Sequence, residues 1–295
     1  MTASEVLIRD FQHDDAERVS ALFVAVYQQR YVYPEVYLPS LIRAAVEQRR
    51  WFCAVALAGE RLVGHAALLL HYAQQGEAEL AMNVVHPDWR GRGLSSALGR
   101  HLCAWARARG QLELLTIKQV CSHEQSQWMA QRLGFQTTGL LLDYVASPFA
   151  ATGRESIVLG CLPLDGDLPP ARRALELNAW FDVETTPPRA QGQARFRLHD
   201  GRLDIALASL DAQTLAEITA LPRSRLIHLS LPLDRRTQTA VGILQQAGFA
   251  SAGAMPDGQG RWRWMLQRGF RADALSLCCP RAQLLYRQMC AHGRN

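Results

Sequence analysis

Lysine is almost missing from this sequence. Of the 32 lysine and arginine residues in 295, only Lys118 is a lysine. That bias points to GC-rich, bacterial coding rather than to a nucleic-acid surface, since no basic run with interleaved aromatics accompanies it. The net charge of +5 is therefore mostly arginine, the residue best suited to bidentate phosphate contact. Long apolar runs are missing too: nothing approaches the roughly 20 residues that a membrane span needs. Met1 to Asp10 has no apolar segment leading to a small-residue cleavage site, so no secretory signal is expected and the cytoplasm is the expected location. The seven cysteines are odd in number, scattered and without a CxxC pair, which argues for reduced thiols rather than a disulfide framework. Adjacent Cys278 and Cys279 have no second pair, and no histidine pair has ligand spacing, so no metal is expected.

What is present is ordinary globular material, with 48% hydrophobic and 20% charged residues, long enough for one large or two ordinary domains. The first half alternates strands and helices. Strands are predicted over 5–9, 51–57, 62–70, 78–85, 112–120, 135–145 and 155–161. Helices are predicted after His13-Asp14-Asp15, through Ala21, Leu22, Val24 and Ala25, then over 38–48, from Leu94 to the stop at Gly110, and over 124–133. Proline, glycine and aspartate cluster over 162–170, which places a boundary between a first domain, 1–163, and a second, 171–295. A second proline-rich stretch, 185–193, reads as a loop, and a final helix is expected over 281–291.

One internal repeat emerges. From Leu112 the chain reads strand, polar helix, Leu-Gly-Phe, three residues, glycine; from Leu226 it reads strand, polar helix, Ala-Gly-Phe, three residues, glycine. Gly134 and Gly248 each lie 22 residues after those strand starts, without a gap. The shared pattern argues for a second, degenerate copy of the same half-domain.

The chemistry concentrates between Asn83 and Ser96. A buried strand ending at Val84-Val85 runs through His86-Pro87-Asp88-Trp89 into Arg90-Gly91-Arg92-Gly93, and an amphipathic helix opens at Leu94. Glycines at 91 and 93 permit positive φ and let backbone N–H groups approach a ligand. The helix directs its free amides and the positive end of its dipole to the same place, and Ser95 and Ser96 add hydroxyls in the first turn. Together these features make a pyrophosphate cradle. No Gly-Lys-Ser/Thr follows, which excludes a Walker loop, and the glycine spacing is not that of the dinucleotide fingerprint.

Arg90-x-x-Gly93-x-Ser95 resembles the acyl-CoA signature of the GNAT acetyltransferase superfamily, Gln/Arg-x-x-Gly-x-Gly/Ala, with serine in place of the last small residue. Leu133-Gly134-Phe135 after a helix is a second likeness, and the strand order is similar over residues 4–162. The resemblance implies an α/β fold with a splayed mixed sheet, followed by a smaller GNAT-like α/β domain. It implies acetyl-CoA or another acyl-CoA as co-substrate, held by Arg90, Gly91, Arg92, Gly93, Leu94, Ser95 and Ser96. Backbone groups of Asn83, Val84 and Val85 would pair with the pantetheine arm and could polarise the thioester carbonyl.

Direct acyl transfer to an amine needs a proton acceptor and a proton for the departing thiolate. By the resemblance Glu79 matches the base position; Glu77 lies on the same strand face. Relatives carry an acidic tyrosine four residues before the glycine of Leu-Gly-Phe, where this chain has Ala130. His123, at a position where relatives often have asparagine, is the catalytic candidate in its stead, with Ser126 as another; a surface or capping histidine is the alternative. Tyr27, Tyr31, Tyr33 and Tyr37 either line an acceptor pocket or pack between helices. His65 and His71 read as structural.

The function expected is acyl-CoA-dependent N-acetyl transfer to a primary amine of a small molecule or peptide, in a monomer or homodimer without nucleic-acid or membrane partners. Two alternatives stand beside it: a non-catalytic acyl-CoA sensor or scaffold, and an acyltransferase fed by a carrier-protein thioester.

Overall fold

A computed structural model describes residues 6–73, 76–148, 153–166, 168, 195–199, 201–233, 235–257, 261–272 and 275–293. The proline-rich stretch 185–193 lies outside them, as do all residues from 169 to 194.

The first half alternates as its pattern predicts. Strand β1 (Val6–Asp10) leads through a 3-10 turn at His13–Asp15 into α1 (Ala16–Tyr27), and α2 (Pro39–Glu47) follows. Then come β2 (Trp51–Ala58), β3 (Arg61–Tyr72), β4 (Glu77–Val85), α3 (Leu94–Arg109), β5 (Leu114–Val120), α4 (Gln125–Arg132), β6 (Gln136–Ala146) and β7 (Arg154–Pro163). The second half contributes β8 (Arg195–His199), β9 (Arg202–Ala206), α5 (Ala212–Ala220), β10 (Ile227–Pro232), α6 (Arg235–Gln246), β11 (Ala250–Pro256), β12 (Trp262–Arg268) and α7 (Pro280–Gly293).

Two local expectations are corrected. The helix α1 buries Val19, Leu22 and Phe23, while Ala21, Val24 and Ala25 face solvent. Phe23 decides this: its ring lies 4.8 Å from Tyr31 and 5.6 Å from His65, an aromatic contact that outweighs the smaller aliphatic stripe. The strand expected from Leu112 begins at Leu114; Leu112 packs in the core before the strand.

The described strands join in one 12-stranded sheet, ordered β1-β2-β3-β4-β5-β7-β6-β11-β12-β10-β9-β8. All neighbours run antiparallel except β4 with β5 and β9 with β10. Helices α3 and α4 cover one face of the first half through Leu98, Leu102, Leu68, Leu80 and Leu115; α1 and α2 cover the other through Phe23, Ile42, Val55 and Val84. In the second half α5 and α6 pack on Leu229, Leu231, Phe249 and Leu266. Helix α7 lies across β6 and β11, burying Leu285 and Met289 against Leu140, Leu142 and Ala252.

Among the described residues, strands of the two halves pair at one position, Gly139 opposite Gly253. These are the glycines that close the two repeat units in the sequence. A Cβ on Gly139 would come 2.7 Å from Ala252 O, and one on Gly253, whose φ is +97°, would overlap Thr138 O and Gly139 Cα. Beyond that pair a side chain does the work of a strand. Gln267 accepts from Leu142 N at 2.7 Å through Oε1, and donates to Leu142 O at 2.6 Å through Nε2.

Two features of β4 position the site. First, β4 and β5 pair only from Glu77–Leu114 to Leu80–Ile117, after which the strands part. Second, β4 carries a bulge: His65 pairs with Val84 but Ala67 with Ala81, and Met82 takes φ +53°. The buried His65 ring faces Met82 O at 3.2 Å. Burial lowers the His65 pKa to about 4, so the neutral ring donates Nδ1–H to that carbonyl at neutral pH. The bulge leaves Met82 and Val84 facing α1 and α2, while Ala78, Leu80 and Val85 face α3.

Candidate active site

The turn from β4 to α3 has the conformation its glycines permit. Gly91 and Gly93 sit at φ +76° and +75°, with open space where a Cβ would be. Gly93 is the N-cap of α3 and no side chain caps the helix, so its first-turn amides are left for a ligand. Arg90, Gly91, Arg92 and Gly93 are all exposed. The Arg92 guanidinium lies 4.3 Å from the centre of the Trp89 ring, and Arg90 Nε turns back toward Val85 O at 3.4 Å. Leu94 and Ser96 are buried, so they offer backbone rather than side chain; Ser95 is half-buried.

Asn83 has a role that its sequence position did not signal. Its Nδ2 donates to Ser95 O at 3.0 Å, tying β4 to the first turn of α3, and its Oδ1 is buried without a partner. Val84 turns its side chain into the α1–α2 core and Val85 into the α3 core, so only their backbone faces the splay. An anionic pyrophosphate and an extended arm fit these residues: positive-φ glycines under open space, uncapped amides, arginines at the rim and parted strands alongside.

Where β4 and β5 begin to part stands an ion pair. Lys118 is the first β5 residue past the last β4–β5 pair, and its Nζ donates to Glu79 Oε2 at 2.5 Å. Lys118 and Glu79 side chains are 29% and 20% exposed, accessible yet sheltered. Burial pulls the Lys118 ammonium down, and the charge of Glu79, with smaller effects from Tyr144 and Tyr33, more than reverses it. Glu77, on the same strand face, is buried rather than solvated.

The tyrosines reach this pair from α1 and the segment after it. Tyr31 packs against Tyr27 at 4.6 Å and Tyr33 at 5.9 Å between ring centres, and Tyr37 Oη accepts from Tyr31 N at 2.8 Å. Burial pushes the Tyr33 phenol up to about 12, with Glu79 adding to the rise and Lys118 opposing it. Tyr27 is likewise raised to about 12 by burial, with the charge of Arg90 opposing. Both remain neutral hydrogen-bond donors across the physiological range.

His123 is not brought to this cluster by any side-chain contact among the described residues. It stands exposed on the turn between β5 and α4, where its carbonyl accepts from Gln127 Nε2 at 3.3 Å. Ser126 Oγ points to Val120 O at 3.5 Å, and Ala130 is buried in the α3–α4 core.

Lys118 and Tyr144 are the residues that sequence reasoning missed. Lys118 carried one signal, its singularity; Tyr144 carried none, because strands far apart in the chain bring it there. Tyr144 also links the halves. Arg202, paired with Asp204 at 2.6 and 2.7 Å, lies over the Tyr144 ring at 4.3 Å, and His228 lies 5.8 Å from it. Among the described residues no group of three His, Cys, Asp or Glu could hold a metal ion. No described helix is long and apolar enough to cross a membrane.

Residues 15–135 match the Acetyltransferase (GNAT) family. No curated protein matches the chain. Solved structures similar to it include an N-acetyltransferase from Staphylococcus aureus Mu50, 18% identical, over 55% of this chain and 100% of that one, with a TM-score of 0.48. The ribosomal-protein-S18-alanine N-acetyltransferase from Escherichia coli is 21% identical over 56% and 97% of the two chains, with a TM-score of 0.44. A spermidine/spermine N-acetyltransferase from Vibrio cholerae is 16% identical over 54% and 95%, with a TM-score of 0.44. The family match runs through Glu79, the Arg90–Gly93 turn and Lys118 and ends at Phe135. Residues 15–135 thus match a GNAT acetyltransferase domain, and that match supports an enzyme of the N-acetyltransferase class.

Proposed function

With that domain as premise, we propose that the chain moves an acetyl group from acetyl-CoA, or a related acyl group, to a primary amine of a small molecule or peptide. The single observation that carries this reading is the juxtaposition of a phosphate cradle with a buried-edge carboxylate across one strand. The cradle at Arg90–Gly93 and Glu79 lie on the same β4–α3 unit, at opposite ends of the splay.

In this reading Arg90, Gly91, Arg92, Gly93, Leu94, Ser95 and Ser96 hold the pyrophosphate, the arginines by charge and the rest through the helix amides. The backbone of Asn83, Val84 and Val85 pairs with the pantetheine arm. Glu79 takes a proton from the acceptor nitrogen. Tyr27, Tyr31 and Tyr33 line the acceptor side with apolar rings and neutral hydroxyls. His123, exposed and off the cluster, receives no part in this account.

The second half, 171–295, is proposed as a degenerate second copy of the domain at 1–163. Three correspondences support it. The order β9-β10-β12-β11 repeats β4-β5-β7-β6, each with its first pair parallel. The repeat places Ala206 at the position of Glu79 and Pro232 at that of Lys118. The helix after β9 begins with Asp211, whose side chain accepts from Thr214 N at 2.7 Å. Its carboxylate thus occupies the amides that an anion would need.

The test is free-thiol release from acetyl-CoA across a panel of primary amines, run beside carrier-protein-bound acetyl thioester. Amine-dependent release with acetyl-CoA supports the reading. Binding of acetyl-CoA without turnover on any amine would replace it with a sensor, and turnover with the carrier thioester alone would replace the donor.

A further inference from the structure

We propose that Lys118 is a catalytic residue, the acid that protonates the departing CoA sulfur, and that it draws its proton back from Glu79 across their ion pair. The proposal rests on the acetyl-transfer reading above and assigns the proton source that Ala130 leaves open.

Three observations converge on it. The first is position. Lys118 is on the open edge where β4 and β5 part, on the face shared by Glu79 and Tyr33, beside the strand segment expected to hold the thioester. The second is residue type. Arginine serves every other basic position of this chain, yet arginine cannot release a proton in a protein, whereas lysine can. The one lysine stands at the one place where the reaction needs a proton given and retaken.

The third is coupling. Nζ and Oε2 are 2.5 Å apart, within direct transfer distance. While Glu79 is ionised, its charge holds the Lys118 proton in place against burial. Once Glu79 is protonated that charge is gone and burial alone remains, which favours neutral lysine. Lys118 thereby becomes a stronger acid at the moment Glu79 has done its work. The other ionisable groups acting on Lys118 are Tyr33, from the segment after α1, and Tyr144, from β6.

The protons balance. The acceptor enters as free amine, its ammonium proton having gone to solvent. Its nitrogen lone pair forms the bond to the thioester carbon, and Glu79 takes one N–H proton. As the C–S bond breaks with its electron pair on sulfur, Lys118 Nζ gives that sulfur a proton. Glu79 Oε2–H then returns a proton to Nζ, restoring the pair, and the products are the amide and free CoA thiol.

Lys118→Met and Lys118→Arg separate this role from a merely electrostatic one, because arginine keeps the charge and the partner but not the transferable proton. Both are assayed with acetyl-CoA and with 4-nitrothiophenyl acetate, whose thiolate leaves without protonation, and acetyl-CoA affinity is measured on each. With acetyl-CoA, both variants are expected to lose about 100-fold or more in kcat while binding stays within about threefold. With the aryl thioester their rates are expected within about threefold of the unsubstituted enzyme. Turnover of Lys118→Arg near that of the unsubstituted enzyme with acetyl-CoA, or an equal loss with both donors, would overturn the proposal. Absence of thiol release by the unsubstituted enzyme on every amine would instead overturn the acetyl-transfer reading beneath it.

Discussion

Four strands in each half of this sheet, β4-β5-β7-β6 and β9-β10-β12-β11, follow the same order with opposite equipment. Between β4 and α3 the chain spends two positive-φ glycines and two arginines on an uncapped helix; between β9 and α5 it has neither, and Asp211 caps the helix. Glu79 and Lys118 face each other in the first half, where Ala206 and Pro232 stand in the second. A cavity of about 250 Å³ lies beside α5, lined by Leu210, Leu215, Ala240 and Ile243 with Asp211 and Thr239. On the proposed reading, anion binding is a property of the few residues at the strand–helix junction, not of the fold around them.

The largest effect is expected where the halves touch. Gly253→Ala puts a methyl group against Thr138 O at a backbone φ of +97°, combining overlap with strain. A loss of about 3 kcal/mol or more of stability is expected, read as a lower midpoint in denaturant unfolding monitored through both halves. A transition that moves for the second half alone would show that the halves fold independently, and the comparison would then be between two separate domains.

Acid should act on both halves in the same direction. His65 in the first half has its pKa lowered to about 4 by burial, and His228 in the second is held well below its usual value by burial and then by Arg202. A histidine depressed in the folded state binds its proton first when unfolded. Stability is thus expected to be full above about pH 6.5 and to fall as the pH descends toward about 4. Equilibrium unfolding at stepped pH checks this; flat stability across that window would contradict the neutral, buried assignment. Replacing His228 with glutamine should flatten the second half's share only.

The smallest effect belongs to the cap. Asp211→Ala removes the acceptor for Thr214 N and should cost about 1 kcal/mol of stability. It should leave acetyl-CoA binding unchanged, because a free helix end without glycines and arginines is not a cradle.

Much of this was legible in the sequence wherever the signal is local. Gly110 ends α3 in the left-handed conformation, and Gly91 and Gly93 take positive φ, because glycine is the residue those positions favour. The matching Gly-Phe spacing accompanies a like order of four strands in each half, β4-β5-β7-β6 and β9-β10-β12-β11. What stayed hidden depends on contacts between distant strands. The register that sets Lys118 beside Glu79 spans 39 residues. The pairing of Gly139 with Gly253 joins positions that local periodicity never compares, and Arg202 meets Tyr144 only because β9 and β6 belong to one sheet. The burial of Phe23 in place of Val24 had the same cause: its partners Tyr31 and His65 come from elsewhere.

One end of this sheet, and not the other, is expected to hold an acyl-CoA. Titration calorimetry with acetyl-CoA tests it on the full chain and on Gly93→Asp, which sets a carboxylate in the open space over the cradle. One site per chain is expected, weakened by at least about 100-fold, or about 2.7 kcal/mol, in the variant. Two sites per chain, or binding unchanged by Gly93→Asp, would contradict it.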